Sequence, residues 1–353
     1  MTLTMTRPAH TATPDVPAAI PPGPPPPDFA QIEPIGRCNL ACRMCTVNDR
    51  GDVVTEMPLA QFTAILDQLP TLKRLHLQGL GEPMLHPQFF DMVELAAQRG
   101  IEVSTNSNLT LLTEARAWRC VTSGLASLSV SLDGATAPVY EAVRRGASFD
   151  KVMRNLDRLV AARNATASPL HVRGVMVLMR ANLPELPALI RLLHGHGVRE
   201  LLVQRLSSDL TQPDLPARYI PIRQYCDTAE LTPDDLPRAD AVFAQARALA
   251  ASLGFTLHLP RLTPPPAQPN GPKCNWPSEQ LYLTAAGEML PCCMVATADR
   301  ATLGNVFGTP AGPGAPDVPG VWAGPVATAF RTALASDTPP AVCQSCALYR
   351  GTF

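Results

Sequence analysis

The sequence predicts an α/β fold, a partial (βα)6 barrel followed by a small cysteine-rich α+β domain. Three observations carry this expectation. Short apolar runs alternate with amphipathic helical patterns from Phe29 to about residue 205. A loop with three closely spaced cysteines follows the first of these runs, and a proline-rich stretch from Thr263 to Pro272 precedes a second cysteine group. Strand and helix alternating at this spacing imply parallel pairing through right-handed crossovers.

The opening segment ends in a run of prolines from Pro21 to Pro27, broken by Gly23. Such a composition packs no core, so residues 1–27 are expected to be a disordered tail. Candidate strands follow at Gln31 to Ile35, Arg74 to Gln78, Ile101 to Thr105, Ser127 to Leu132, His171 to Leu178 and Glu200 to Gln204. Between them, apolar residues recur at helical spacing over Pro58 to Leu69, Pro87 to Gln98, Glu114 to Thr122, Phe149 to Arg163 and Leu186 to His194. The pattern degrades from Asp209 to Pro237, and a helix over Arg238 to Leu253 bridges to the linker. The expected divisions are a tail at 1–27, a barrel at 28–235, a bridge at 236–269 and the cysteine-rich domain at 270–353.

Composition narrows the function. The chain has 353 residues, 46% hydrophobic and 17% charged, enough to bury a large core. Its 29 basic and 30 acidic residues nearly cancel, leaving no basic field for nucleic acid or an anionic membrane. No apolar run approaches the ~20 residues of a membrane helix, and the first residues lack the layout of a signal peptide. Eight of ten cysteines fall into two ligand-like groups, which suits a reducing compartment, so the expected location is the cytoplasm. Cys120 and Cys226 are left over and read as small buried hydrophobes.

The first group is Cys38, Cys42 and Cys45, spaced CxxxCxxC. Three thiolates on one short loop can hold three irons of a cubane and leave the fourth open to a substrate or cofactor. On cysteine arithmetic alone, a zinc site lacking its fourth ligand or three buried thiols also fit. The loop follows the first predicted strand and so lands on the C-terminal face of the barrel, where βα folds place their chemistry.

This spacing resembles the radical S-adenosylmethionine (SAM) superfamily, in which the open iron binds the amino and carboxylate groups of SAM and an electron from the cluster cleaves it to a 5'-deoxyadenosyl radical. The resemblance extends along the chain. Gly81, Glu82 and Pro83 look like the family's GEP motif, whose glycine lets backbone carbonyls approach the cofactor ammonium. Ser104 and Asn106 end the third strand and Ser131 and Asp133 the fourth, groups suited to a ribose and an amino-acid moiety. Arg144 resembles the arginine that forks onto the cofactor carboxylate, with Arg145 the competing choice. Val175 to Leu178 is a candidate to flank the adenine.

The second group, Cys274, Cys292, Cys343 and Cys346, resembles the opening of a SPASM domain or its shorter twitch form, with Gly287 turning a hairpin between Leu281 and Leu290. The resemblance implies one auxiliary [4Fe-4S] cluster, since no cysteine follows Cys346. A zinc ribbon is the rival for this group. Cys293 reads as a buried small residue or a hydrogen donor to a substrate radical.

The resemblance therefore implies SAM and two [4Fe-4S] clusters, a small-molecule substrate, and an electron donor such as flavodoxin or ferredoxin. The expected reaction is oxidation of an alcohol on a sugar, aminocyclitol or nucleoside-like intermediate. Redox-neutral decarboxylation, epimerisation or dehydration, peptide maturation, and a non-catalytic iron-sulfur protein stand as alternatives. The short proline-rich tail, with no folded leader-binding domain, weighs against peptide maturation. The sequence names no catalytic base or donor, but it offers candidates in the later loops: Arg205, Asp209, Tyr219, Arg223, Tyr225, Asp227 and Glu230.

Overall fold

The computed structural model describes residues 24–51, 54–206, 210–263, 274–308 and 315–350. Most of the expected tail, most of the proline-rich linker and Asp209 lie outside the described residues.

One ten-stranded sheet organises the chain, in the order β10-β9-β8-β1-β2-β3-β4-β5-β6-β7. Its barrel strands are β1 (Phe29–Ile32), β2 (Arg74–Leu77), β3 (Glu102–Ser107), β4 (Leu125–Ser131), β5 (His171–Leu178), β6 (Glu200–Arg205) and β7 (Thr256–His258). Each pairs in parallel with its neighbour. The crossovers carry α1 (Leu59–Asp67), α2 (Phe89–Gln98), α3 (Glu114–Thr122), α4 (Ala137–Val143), α5 (Phe149–Thr166), α6 (Leu186–Gly195), α7 (Ile220–Ala229) and α8 (Leu236–Ser252). Beyond them come α9 (Trp276–Glu279), β8 (Gln280–Leu283), β9 (Glu288–Leu290), β10 (Gly304–Asn305), α10 (Val318–Trp322), α11 (Pro325–Leu334), α12 (Ala341–Gln344) and α13 (Ala347–Arg350).

The period-2 alternation of the strands divides their side chains into two environments. Facing the helices, Leu75, Leu77, Val103, Leu128, Val130, Met176, Leu178 and Leu201 are buried, and they meet Phe62, Ile65, Met92, Val93, Leu156, Leu159, Ile190 and Leu193. Facing the barrel interior are His76, Ser104, Asn106, Arg173 and Gln204, all part-exposed. A closed barrel fills this space with packed aliphatic side chains. Here the inner face is a polar lumen whose side chains are mostly covered.

Three features depart from the sequence expectation. The C-terminal hairpin continues the barrel sheet, since β8 pairs in parallel with β1 from Phe29↔Gln280 to Ile32↔Leu283. The pairing satisfies the backbone groups that an edge β1 would leave open. Second, α8 leads into β7, which pairs with β6, so the expected bridging helix completes a seventh βα unit. A three-residue strand with two exposed positions is too short to show a period. Third, the stretch read as irregular contains α7, whose Ile222 and Cys226 pack with Met179, Leu206 and Tyr219. Its two apolar anchors are too few to stand out among polar neighbours.

Candidate functional site

The loops after β1, β2, β3 and β4 enclose a cavity of about 190 Å³ at the C-terminal face of the sheet. Cys38, Cys42 and Cys45 line it together with Gly81, Glu82, Asn106, Ser131 and Arg144. Sequence motifs up to 106 residues apart thus share one wall (Cys38 to Arg144).

The cysteine loop is fixed by its backbone. The N–H groups of Ala41 and Arg43 donate to the carbonyls of Arg145 and Val143, at 3.0 and 3.1 Å, just past the end of α4. On the other side, the Glu82 N–H donates to the Arg37 carbonyl at 3.0 Å. Donors also converge on the sulfurs: Leu40 N–H reaches Cys38 Sγ at 3.4 Å and Arg144 Nη1 reaches Cys42 Sγ at 4.0 Å. Burial pushes the Cys38 thiol up to about 11 and the Cys45 thiol up to about 12. Such buried thiols ionise when a metal replaces the lost hydration, and the donors around them suit negatively charged sulfur. Among the described residues no group of three or more His, Cys, Asp or Glu is placed to hold a lone metal ion. Three thiols around a cavity fit a cluster whose irons take one sulfur each.

Glu82 is buried and does not serve as an open carboxylate. Its side chain accepts from Ser107 Oγ at 2.7 Å, Asn108 N–H at 2.8 Å and Met84 N–H at 3.2 Å, tying the loop after β2 to the end of β3. Gly81 is required by contact. A Cβ there would stand 2.0 Å from the Ile35 carbonyl oxygen and 2.7 Å from that of Arg37. Pro83 is buried at the first position of a short turn and is absent from the cavity wall.

Arg144 is nearly sealed, and its Nε lies 2.8 Å from Asp133 Oδ2. Asp133, fully buried, also accepts the Val177 N–H at 2.7 Å, so it orients the guanidinium instead of facing the cavity. Arg145, by contrast, is exposed. Ser104, expected at the rim, sits one layer deeper and shares a hydrogen bond with His76 Nδ1 at 2.9 Å. Val175 to Leu178 likewise stay off the wall.

Sequence reading missed Gln78, Leu80 and Asn108 on the wall, and also the buried pair Glu33 and Arg50 behind it. An acidic residue at the end of the apolar run Ile32 to Ile35 was the available signal for Glu33. Of the later-loop candidates, Arg205 braces backbone, donating to the carbonyls of Leu262 and Leu231. Tyr225 lies under the Arg43 guanidinium, 4.5 Å from ring centre to Cζ, and so backs the cysteine loop. Tyr219 is buried and donates to Asp299 at 2.8 Å, and Arg223 pairs with Asp227 on the exposed face of α7.

The second cysteine group gathers in one apolar cluster. Cys292 and Cys343 pack with Val295, Leu334 and Val342, and Cys274 borders them. Cys346 follows in the same turn, its N–H 3.2 Å from the Cys343 carbonyl. Burial raises the Cys292 thiol well above its usual range. Gly287 turns the β8–β9 hairpin at φ +83°, as its position in the sequence required.

Comparison with known proteins places both halves. Residues 32–193 match the family model of the Radical SAM superfamily, and residues 274–347 match that of an iron-sulfur cluster-binding domain, SPASM. A tungsten-containing aldehyde ferredoxin oxidoreductase cofactor-modifying protein of Pyrococcus furiosus is 30% identical over 187 residues, 50% of this chain and 51% of that protein. The mycofactocin maturase MftC of Mycobacterium tuberculosis is 31% identical over 161 residues, 45% of this chain and 40% of that one. The matched stretch thus spans about half or less of these relatives. In fold, the chain resembles Streptococcus suis SuiB bound to precursor peptide SuiA, with TM-score 0.66 and 16% identity over 92% of this chain and 70% of that one.

Proposed function

The chain belongs to the radical SAM superfamily and carries a C-terminal SPASM iron-sulfur domain, and from that premise we propose that it abstracts hydrogen from a peptide substrate. The two domains imply SAM and two [4Fe-4S] clusters. When bound, the open cluster and SAM supply a 5'-deoxyadenosyl radical able to take hydrogen from an unactivated carbon.

In this reading Cys38, Cys42 and Cys45 hold the first cluster, and Cys274, Cys292, Cys343 and Cys346 hold the second. Arg144, oriented by Asp133, receives the cofactor carboxylate, and the backbone around Gly81 receives its ammonium. Asn106 and Ser131 offer hydrogen bonds to the remaining polar groups. A donor such as flavodoxin or ferredoxin supplies the electron.

The observation that carries the substrate class is the lumen below the cavity. Its wall is a run of amide, hydroxyl and guanidinium groups. Gln31 Nε2 donates to the Gln78 carbonyl at 3.0 Å, His76 meets Ser104, and Arg173 Nε donates to Ser129 Oγ at 2.9 Å. Asn106 and Gln204, part-exposed on the same face, present mixed amide donors and acceptors that match a peptide backbone. The peptide-bound fold relative and the maturase support the same choice. The alcohol oxidation expected from the sequence gives way to it, because that expectation rested on the number of auxiliary clusters, which does not select a reaction.

The test is anaerobic incubation of reduced, cluster-loaded protein with SAM and peptides from short reading frames beside its gene, with polyols and nucleosides in parallel. Peptide-dependent 5'-deoxyadenosine together with a peptide mass change is the expected result. Stimulation by polyols or nucleosides alone overturns the peptide assignment.

A further inference from the structure

Behind the cavity wall lies a charged pair that the cofactor chemistry does not use. Glu33 follows β1 and Arg50 follows the cysteine loop; each side chain is 1% exposed, with Arg50 Nη1 3.0 Å from Glu33 Oε1. A buried ion pair is weak evidence for stability, because desolvating both charges offsets most of their attraction. Its position therefore asks for another account.

Three further partners of the pair belong to three different segments. Glu33 Oε2 accepts the Leu80 N–H at 2.9 Å, and Leu80 lines the cavity between Gly79 and Gly81. Glu33 Oε1 accepts the Ala285 N–H at 3.3 Å, in the turn of the β8–β9 hairpin that leads to Cys292. Arg50 Nη1 donates to the Gly36 carbonyl at 3.1 Å, two residues before Cys38. Gly79 leaves room for this approach, since a Cβ there would stand 2.4 Å from Glu33 Oε2. One carboxylate thus joins the cysteine loop, the cavity wall and the auxiliary hairpin across 252 residues of sequence.

We propose that the Glu33–Arg50 pair is a clamp through which the auxiliary site sets the shape of the cofactor cavity, so that SAM affinity depends on the C-terminal cluster being in place. Glu33 is then a positioning residue. Loss of the auxiliary cluster loosens the turn beyond the β1–β8 pairing, withdraws the Ala285 N–H, and lets the carboxylate shift away from Leu80. By linkage, SAM in the cavity stabilises the hairpin in return. The inference rests on the cofactor placement proposed above.

The experiment measures SAM binding at equilibrium, without reductant, in wild type, Glu33→Gln, the pair Cys343→Ala and Cys346→Ala, and all three substitutions together. Each of the first two changes should weaken binding about tenfold, and the combination should be no weaker than the worse of them, because both break one link. Independent losses that multiply, or unchanged affinity in a fully cluster-loaded Glu33→Gln protein, overturn the clamp. Hydrogen exchange on the wild type provides a readout without mutation: SAM should slow exchange over residues 283–290, and no change there also overturns it. If the wild type binds no SAM, the cofactor placement itself fails, whereas normal binding without coupling removes the clamp alone.

Discussion

Glu82 is 3% exposed, and three donors from its own loop and the end of β3 meet its carboxyl group. The cost of burial is offset only where each oxygen finds partners. His76 illustrates the opposite solution. Burial, reinforced by the Arg173 charge, lowers its pKa to about 4 from 6.5, so the ring stays neutral while it holds Ser104. A base with a depressed native pKa binds fewer protons than the unfolded chain between these two values. Its contribution is therefore favourable above pH 6.5, is lost as pH falls toward 4, and levels off below. Wild type should lose about 2 kcal/mol more unfolding free energy than His76→Gln between pH 7.5 and 5, as measured by urea titration. Parallel curves for the two proteins would remove His76 as the source.

The turn before α7 meets a segment that is distant in sequence. Tyr219, just before α7, donates to both carboxylate oxygens of Asp299, at 2.8 and 3.1 Å, and burial pushes its own hydroxyl up to about 12. Arg218 approaches the same carboxylate at 3.7 Å, and Arg300 donates to Gln212 at 3.1 Å. This polar seam fixes the segment after β6 against the C-terminal region, seven residues past Cys292 (292 to 299). Tyr219→Phe removes one hydrogen bond to a charged group and should destabilise the protein by about 1–3 kcal/mol. Limited proteolysis should then cut first within residues 206–219. Unchanged melting and cleavage would show that Arg218 alone holds Asp299.

At the scale of the whole molecule, one sheet carries both cysteine groups, because β8 pairs with β1. The two cysteine groups are joined through this strand pairing, yet each group is drawn from its own segments. Anaerobically purified protein should contain about eight irons and eight sulfides. Substituting alanine for Cys38, Cys42 and Cys45 should leave about four irons and abolish the effect of SAM on the cluster spectrum. Substituting alanine for Cys343 and Cys346 should also leave about four irons, while the SAM-responsive signal remains. Zinc at the second site, detected by elemental analysis, would refute the second cluster. No helix among the described residues is long and apolar enough to cross a membrane.

The strands and helices whose side chains repeat over eight or more residues were legible: β5 and α3 begin and end where their apolar periods do. The CxxxCxxC spacing was legible too, because it is local and survives without knowledge of the fold. The family resemblance pointed to Arg144, but only burial against Asp133 separates it from Arg145. Three-residue β7 and sparsely apolar α7 gave no period to read.

By itself, then, the sequence determined the parallel α/β architecture, the two cysteine groups, and the glycine turn at Gly287. These follow from spacing and backbone freedom within a few residues. Only the tertiary structure decided that Glu82 and Asp133 are internal braces, that Ser104 belongs to the lumen, that the hairpin extends the barrel sheet, and that Glu33 meets Ala285. Each of these depends on which groups lose water together, and desolvation is a property of residues brought close by folding.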